Sequence, residues 1–240
     1  MCDSLQYSTP LLPRLTVRPS ACYNSASIKH SVADLARSLK LDLAEKLKDH
    51  EKRPGMLIVL SGPSGVGKDT LLRRLEEVCP GIERCVTYTT REPRPGEAPG
   101  VDYNFVSAGG FRRMIEEGKF LEYAQVHLDL YGSPLEPVIR AREKGLDAVL
   151  KIDVQGGLTV KQKMPDAVMI FVAPPSMEEL ERRLRARYTD SEAAVAKRLQ
   201  DARREIEHIP MYDYLVVNDD LKAAVDRLRC IIMAERAGIR

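Results

Sequence analysis

Residues Gly62 to Thr70 read GPSGVGKDT. They are flanked on one side by the short apolar run MLIVL (Met56 to Leu60) and on the other by a helical pattern from Lys68 to about Val78, stopped by Pro80 and Gly81. A continuous apolar run of this kind fits a strand buried on both faces. Glycines between strand and helix let backbone N–H groups converge on phosphate oxygens, the helix N-terminus adds positive potential, and Lys68 reaches the phosphates being transferred. In this context GxxxxGK is a specific signal, so Gly62, Pro63, Ser64, Gly65, Val66, Gly67, Lys68, Asp69 and Thr70 are candidate nucleotide-phosphate ligands. One position departs from the common pattern: the Ser or Thr that usually follows the lysine and joins a magnesium shell is Asp69 here, with Thr70 next.

Outward from this loop, strand and helix signals alternate. The runs AVLKI (148 to 152), AVMIFV (167 to 172) and YLVVN (214 to 218) are separated by helical periodicity. That order predicts an α/β fold, a P-loop-type parallel sheet with helices on both faces. Between about 83 and 131 the texture changes to shorter strands, a proline-rich loop and one helix after Ser107, which predicts a small insert. Helix starts are expected at Ser133 (SPLE) and Ser176 (SMEE), both with the capping-box pattern.

Before the loop the chain reads differently. Residues 1 to 31 carry three basic residues (Arg14, Arg18, Lys29), one acidic residue (Asp3), eight Ser or Thr and three Pro, with no helical or strand period. This extension is either a transit peptide or a disordered tail without an address. From Val32 to Arg53, the residues Val32, Leu35, Leu39, Leu43 and Leu47 recur at helical spacing, which predicts an amphipathic helix and linker over 32 to 55, docked by default on the domain that follows. The domain itself is expected over 56 to 240.

Composition narrows the function. The 240 residues include 37 Lys and Arg against 35 Asp and Glu, a net charge of +2, so a broadly nucleic-acid-coating surface is not expected. No uncharged apolar run approaches the ~20 residues of a membrane helix. Five cysteines without CxxC or Cys/His spacing read as reduced thiols, and the histidines at 30, 50, 127 and 208 form no ligand cluster. Any metal is therefore expected on oxygen ligands.

A second motif follows the loop: TYTTREPRPGE (Thr87 to Glu97), then Asp102-Tyr103-Asn104-Phe105. Arg91 and Arg94, three apart in a proline-stiffened loop with a tyrosine hydroxyl nearby, can grip one phosphate through forked hydrogen bonds. Taken alone, the segment reads more often as only a charged surface loop. The motifs GPSGVGK, TTREPRPGE, DYNF, FLEYAQV, LYGSP, KIDVQG, RLRARYTDSE and VVND stand in this order from Met56 to near Arg236, and together they resemble the guanylate kinases, P-loop enzymes that transfer the γ-phosphate of ATP to GMP.

The resemblance implies roles residue by residue. Arg91, Arg94, Tyr103 and Tyr131 match the ligands of the GMP phosphate. Glu122 and Ser133 match the guanine readers, Thr87 stands where a serine is more common, and Asp153 matches an acidic residue near base and metal. Chemistry agrees, because guanine's N1–H and N2 amine are neighbouring donors that one carboxylate accepts, while a hydroxyl donates to O6. Arg183, Arg187 and Arg198 resemble the arginines of a closing lid (about 183 to 200), and Asn218 matches a position that contacts the adenine of ATP. Lys151 stands where the family often has an acidic residue, and Tyr188 replaces a usually smaller one.

The expected activity is therefore ATP-dependent phosphorylation of GMP or dGMP with Mg2+, the metal on Asp69 and Asp153, in a monomer or homodimer. Two rivals stand beside it: a non-catalytic guanylate-kinase-like module that binds protein partners, and a P-loop kinase for a ribose phosphate. The intact Gly67 and Lys68 oppose the first, and Glu122 and Ser133 the second. The KIDVQG and YDYLVVN segments resemble plastid-type members, and together with the N-terminal extension they give the expectation of a plastid or mitochondrial location, with the cytoplasm as the alternative.

Overall fold

The computed structural model describes residues 37–42, 53–94, 96–126, 128–186 and 191–238. Residues 37–42 are helical and belong to a unit (residues 1–51) separate from residues 52–240. The extension over 1 to 31 and the rest of the pattern over 32 to 53 lie outside the described residues, apart from Arg53 itself.

In the larger unit the expected central strand is β1 (Leu57–Ser61), buried along its whole length. The chain continues through α1 (Lys68–Val78), β2 (Ile82–Arg84), β3 (Tyr88–Thr89), β4 (Asn104–Phe105), α2 (Ala108–Glu116), β5 (Phe120–Val126) and β6 (Asp129–Pro134). Then follow α3 (Leu135–Glu143), β7 (Asp147–Lys151), α4 (Val154–Lys163), β8 (Val168–Ala173), α5 (Met177–Arg185), α6 (Glu192–Ile206), a 3-10 turn (Ile209–Met211), β9 (Tyr214–Val217) and α7 (Leu221–Ala237). Five strands form a parallel sheet in the order β2-β7-β1-β8-β9.

Two-residue alternation divides each central strand between two cores, which is why these strands read as unbroken apolar runs. Ile58, Leu60, Val149, Ile170 and Val172 pack with Leu71, Leu72 and Leu75 of α1 and with Leu228 and Ile232 of α7. On the other face Leu57, Val59, Ala148, Leu150 and Met169 pack with Val138 and Ala141 of α3 and Val160 of α4. Asp147 ties the margins together: its carboxylate accepts from the Met56 N–H at 2.9 Å and from Arg236 Nε at 2.8 Å. Among the described residues no helix is long and apolar enough to cross a membrane.

Two boundaries differ from the sequence expectation. The residues near 83 belong to β2, an edge strand of the parallel sheet, and the second, four-stranded sheet (β4-β3-β6-β5) begins only at Tyr88. Ile82–Arg84 is too short and too charged for a strand period to show. Ser133 does not cap a helix either. It lies in β6, and the N-cap of α3 is Pro134 with no side-chain cap. The Ser133 hydroxyl is already donated to Glu122, so tertiary pairing outcompetes the local capping motif. Ser176 does cap α5, accepting from the Glu179 N–H at 3.2 Å.

Candidate active site

The C-terminal ends of the parallel strands deliver the candidate residues to one edge of the sheet, as is general for open α/β folds. Ser61 ends β1, Lys151 ends β7, Asp153 follows it, and Asn218 follows β9. The loop after β1 needs its glycines: Gly62 has φ 141°, and a Cβ there would lie 2.1 Å from the Val172 carbonyl oxygen. Gly67, left-handed at φ 98°, is the N-cap of α1 and leaves the first N–H groups of that helix without a side-chain cap. Such uncapped N–H groups can donate to the oxygens of an anion.

Lys68 Nζ is folded onto its own loop, donating to the carbonyls of Gly62 and, at 3.1 Å, Pro63. Burial pushes its pKa down to about 8, opposed by the negative charge of Glu205 and assisted by the positive charge of Lys151. The loop is clamped from behind. Asn218 Nδ2 donates to the Val66 carbonyl at 2.8 Å, while Arg183 donates to the Asn218 carbonyl at 3.0 Å and to Glu179 Oε1 at 2.7 Å. Both side chains therefore support the phosphate loop. Arg198 lies on α6, and Arg187 lies outside the described residues.

The second sheet carries a cation cluster and a carboxylate. Arg91 donates from one Nη to both oxygens of Glu97, at 2.8 and 2.9 Å, and its guanidinium sits 5.5 Å from the Tyr103 ring centre. Its Nε is buried without a hydrogen-bond partner, a donor left over for a ligand oxygen. Tyr103 and Tyr131 meet edge to face at 6.0 Å. Arg94 is exposed, with its backbone N–H bound to Glu97 Oε2 at 2.8 Å.

Glu122 and Ser133 are brought together in neighbouring strands, the hydroxyl donating to Oε1 at 2.6 Å, and both are buried. Burial pushes the Glu122 pKa up to about 7; the Ser133 hydroxyl opposes this, and Asp153 adds to it. Thr87 is buried just before β3. Asp153 caps α4 through the Gly156 N–H at 2.7 Å, and a Cβ at Gly156 would lie 3.0 Å from Glu122 Oε2. Gly156 is thus what lets the helix start approach the carboxylate. That reason is invisible in the sequence, though Gly156 itself closes the KIDVQG run.

A family model described as "Guanylate kinase" matches residues 54–235. The chain belongs to the guanylate kinase family. The guanylate kinase of Myxococcus xanthus is 53% identical over 184 residues, covering 76% of this chain and 88% of that protein. The guanylate kinase of Syntrophotalea carbinolica is 49% identical over 184 residues, with 77% and 88% covered. Among solved structures, the guanylate kinase from Anaplasma phagocytophilum superposes with a TM-score of 0.67 at 36% identity, covering 78% of this chain and 89% of that one.

Two residues of this guanylate kinase escaped the sequence reading. Glu205, on α6, is a carboxylate whose Oε2 is buried with no hydrogen-bond partner, and Tyr212 OH is likewise buried without one. Burial pushes the Glu205 pKa up to about 7; Lys68 opposes the rise and Asp153 adds to it. A charged amphipathic helix gives no sign of which glutamate turns inward. With a folded pKa raised from 4.5, ionising this group costs stability: the cost is absent below about pH 4.5, grows as pH rises, and is complete above about 7. Glu205→Gln is expected to raise Tm at pH 8 by about 2–4 °C per kcal/mol relieved, and not at pH 4.5. Thermal melts at the two pH values check this, and an equal shift at both would remove the buried charge as the cause.

Proposed function

We propose that this guanylate kinase transfers the γ-phosphoryl group of ATP to the phosphate of GMP or dGMP, yielding ADP and GDP or dGDP. The observation that carries the reading is the buried Glu122–Ser133 pair, set beside the glycine-opened start of α4. A carboxylate accepts from guanine N1–H and N2 together, and the hydroxyl can turn to O6; adenine presents the opposite pattern on that edge. Tyr131 of β6, Arg91 in the loop after β3 and Tyr103 just before β4 lie beside one another at the small sheet and suit the acceptor phosphate.

An oxygen of the acceptor phosphate attacks the γ-phosphorus as the bond to the β–γ bridging oxygen breaks, and ADP leaves with that electron pair. No general base is required, since the attacking oxygen is already ionised near neutral pH. What remains is alignment and charge stabilisation. The loop N–H groups and Lys68, on a loop braced by Arg183, hold the donor phosphates, Arg91 the acceptor, and the resemblance assigns Arg187 and Arg198 to closing over both and excluding water.

Magnesium bound with the triphosphate would neutralise phosphoryl charge. The donor set fits a hard cation: Asp153 at the sheet edge and Glu205, whose bare buried oxygen lies close enough to Lys68 and Asp153 to respond to both charges. Asp69, the other expected ligand, has one carboxylate oxygen, Oδ1, bonded by Lys151.

The reading is tested by following ADP release with GMP, dGMP, AMP, UMP, CMP and ribose phosphates as acceptors. Turnover is expected with GMP and dGMP and at least about 100-fold less with the others. Equal use of AMP, or no turnover with any acceptor, would overturn it.

A further inference from the structure

The two departures from the family pattern noted in the sequence, Asp69 and Lys151, meet in the structure. Lys151 Nζ donates to Asp69 Oδ1, and Arg84 Nη2 lies 3.7 Å from the same oxygen. The cations are the buried partners: the side chains of Lys151 and Arg84 are 6% and 10% exposed, that of Asp69 54%. Burial alone would raise the Asp69 pKa, yet Lys151 and Arg84 hold it below the ordinary range.

Each cation also reaches the second sheet. Lys151 Nζ lies 4.6 Å from the centre of the Tyr103 ring, and Arg84 Nη2 donates to the Asp102 carbonyl at 3.3 Å. Two struts therefore run from the first turn of α1 to the adjacent residues Asp102 and Tyr103. Beyond them the path continues through the ring contacts of Tyr103 with Tyr131 and Arg91. Buried cations with a single carboxylate between them are geometrically committed, because either one left alone would be a desolvated charge without a partner. The chain thus has a fixed connection between the helix that holds the donor phosphates and the cluster suited to the acceptor phosphate.

We propose that Asp69, Lys151 and Arg84 form a positioning bridge that sets Tyr103, and with it the GMP phosphate, against the phosphate loop, and that Asp69 serves as the anchor of this bridge rather than as a magnesium ligand. The inference rests on the reading of the Arg91, Tyr103 and Tyr131 cluster as the acceptor-phosphate site. Asp69→Ser removes the anchor, Lys151→Met removes one strut together with its charge, and the double variant removes the pair. Lys151→Arg keeps a cation and controls for folding.

The test is calorimetric titration of GMP and, separately, of ATP without metal into the wild type and the four variants, followed by magnesium titration of turnover. Asp69→Ser and Lys151→Met are each expected to weaken GMP binding and raise KM for GMP about tenfold, with ATP affinity within about threefold of wild type. The double variant is expected to be no weaker than the weaker single one, because both remove the same connection. Lys151→Arg is expected to retain most of the GMP affinity, and the magnesium midpoint of Asp69→Ser to superimpose on that of the wild type.

Additive losses, unchanged GMP affinity, or a shifted magnesium midpoint in Asp69→Ser alone would overturn the bridge. Failure of the wild type to bind GMP would instead overturn the functional reading on which it rests.

Discussion

Lys68→Ala is expected to lower kcat at least about 100-fold, about 3 kcal/mol or more in the chemical step, while the protein stays folded. The structure gives the reason. Lys68 is the ammonium at the mouth of the glycine loop, and its present partners are two carbonyls of that same loop, Gly62 and Pro63. Those contacts are expected to be exchanged for phosphate oxygens when the triphosphate arrives, and no other group of the loop carries a full positive charge. Burial has already brought the pKa of the free protein's Lys68 to about 8. Below that pH the ammonium is charged, so initial ATP association is expected to weaken as pH rises through about 8. Single-turnover measurement separates the chemical step from binding, and circular dichroism checks the fold. Near-wild-type turnover in a folded variant would reject the role.

Glu122→Gln is expected to cost at least about 100-fold in kcat/KM for GMP while leaving the slow reaction with AMP nearly unchanged. The amide can turn its oxygen to only one of guanine's two neighbouring donors and sets its NH2 against the other. The side chain is buried, so an unpaired polar group there is costly. A pH signature accompanies the variant. Burial raises the Glu122 pKa to about 7, and guanine needs the ionised form. KM for GMP is therefore expected to rise as pH falls through about 7 in the wild type, and to be flat over that range in the glutamine variant. An unchanged ratio of GMP to AMP use would place the guanine reader elsewhere.

The Glu122 case also marks where local patterning stops. Glu122 sits in a run, FLEYAQV, that reads as a strand with one charge in it, and only its match to a family pointed to base recognition. In three dimensions the partner is Ser133 across the β5–β6 pair, and the opening is made by Gly156 on a helix of the other sheet. Ser133 shows the same limit from the opposite side. SPLE is a sound capping pattern, but a cap competes with any partner that folding brings near, and Glu122 takes the hydroxyl first.

The short-range part of the structure is legible along the chain. An apolar run, a glycine loop with Lys68 and a helix stopped by Pro80 and Gly81 are written within a few tens of residues, because backbone freedom, periodicity and helix ends depend on neighbours along the chain. The α/β class follows from repeating that alternation. Only the tertiary structure decided which charges meet. It placed Lys151 on Asp69 across 82 positions of chain, turned Glu205 of α6 into the interior near Lys68, and set Arg91 over Tyr103. Electrostatic energy depends on distance through space and on burial, and neither is a function of spacing in sequence. Asp69 therefore read as a substitute for a magnesium-binding hydroxyl when seen beside Lys68, and as the counter-charge of two buried cations once the sheet had brought them to it.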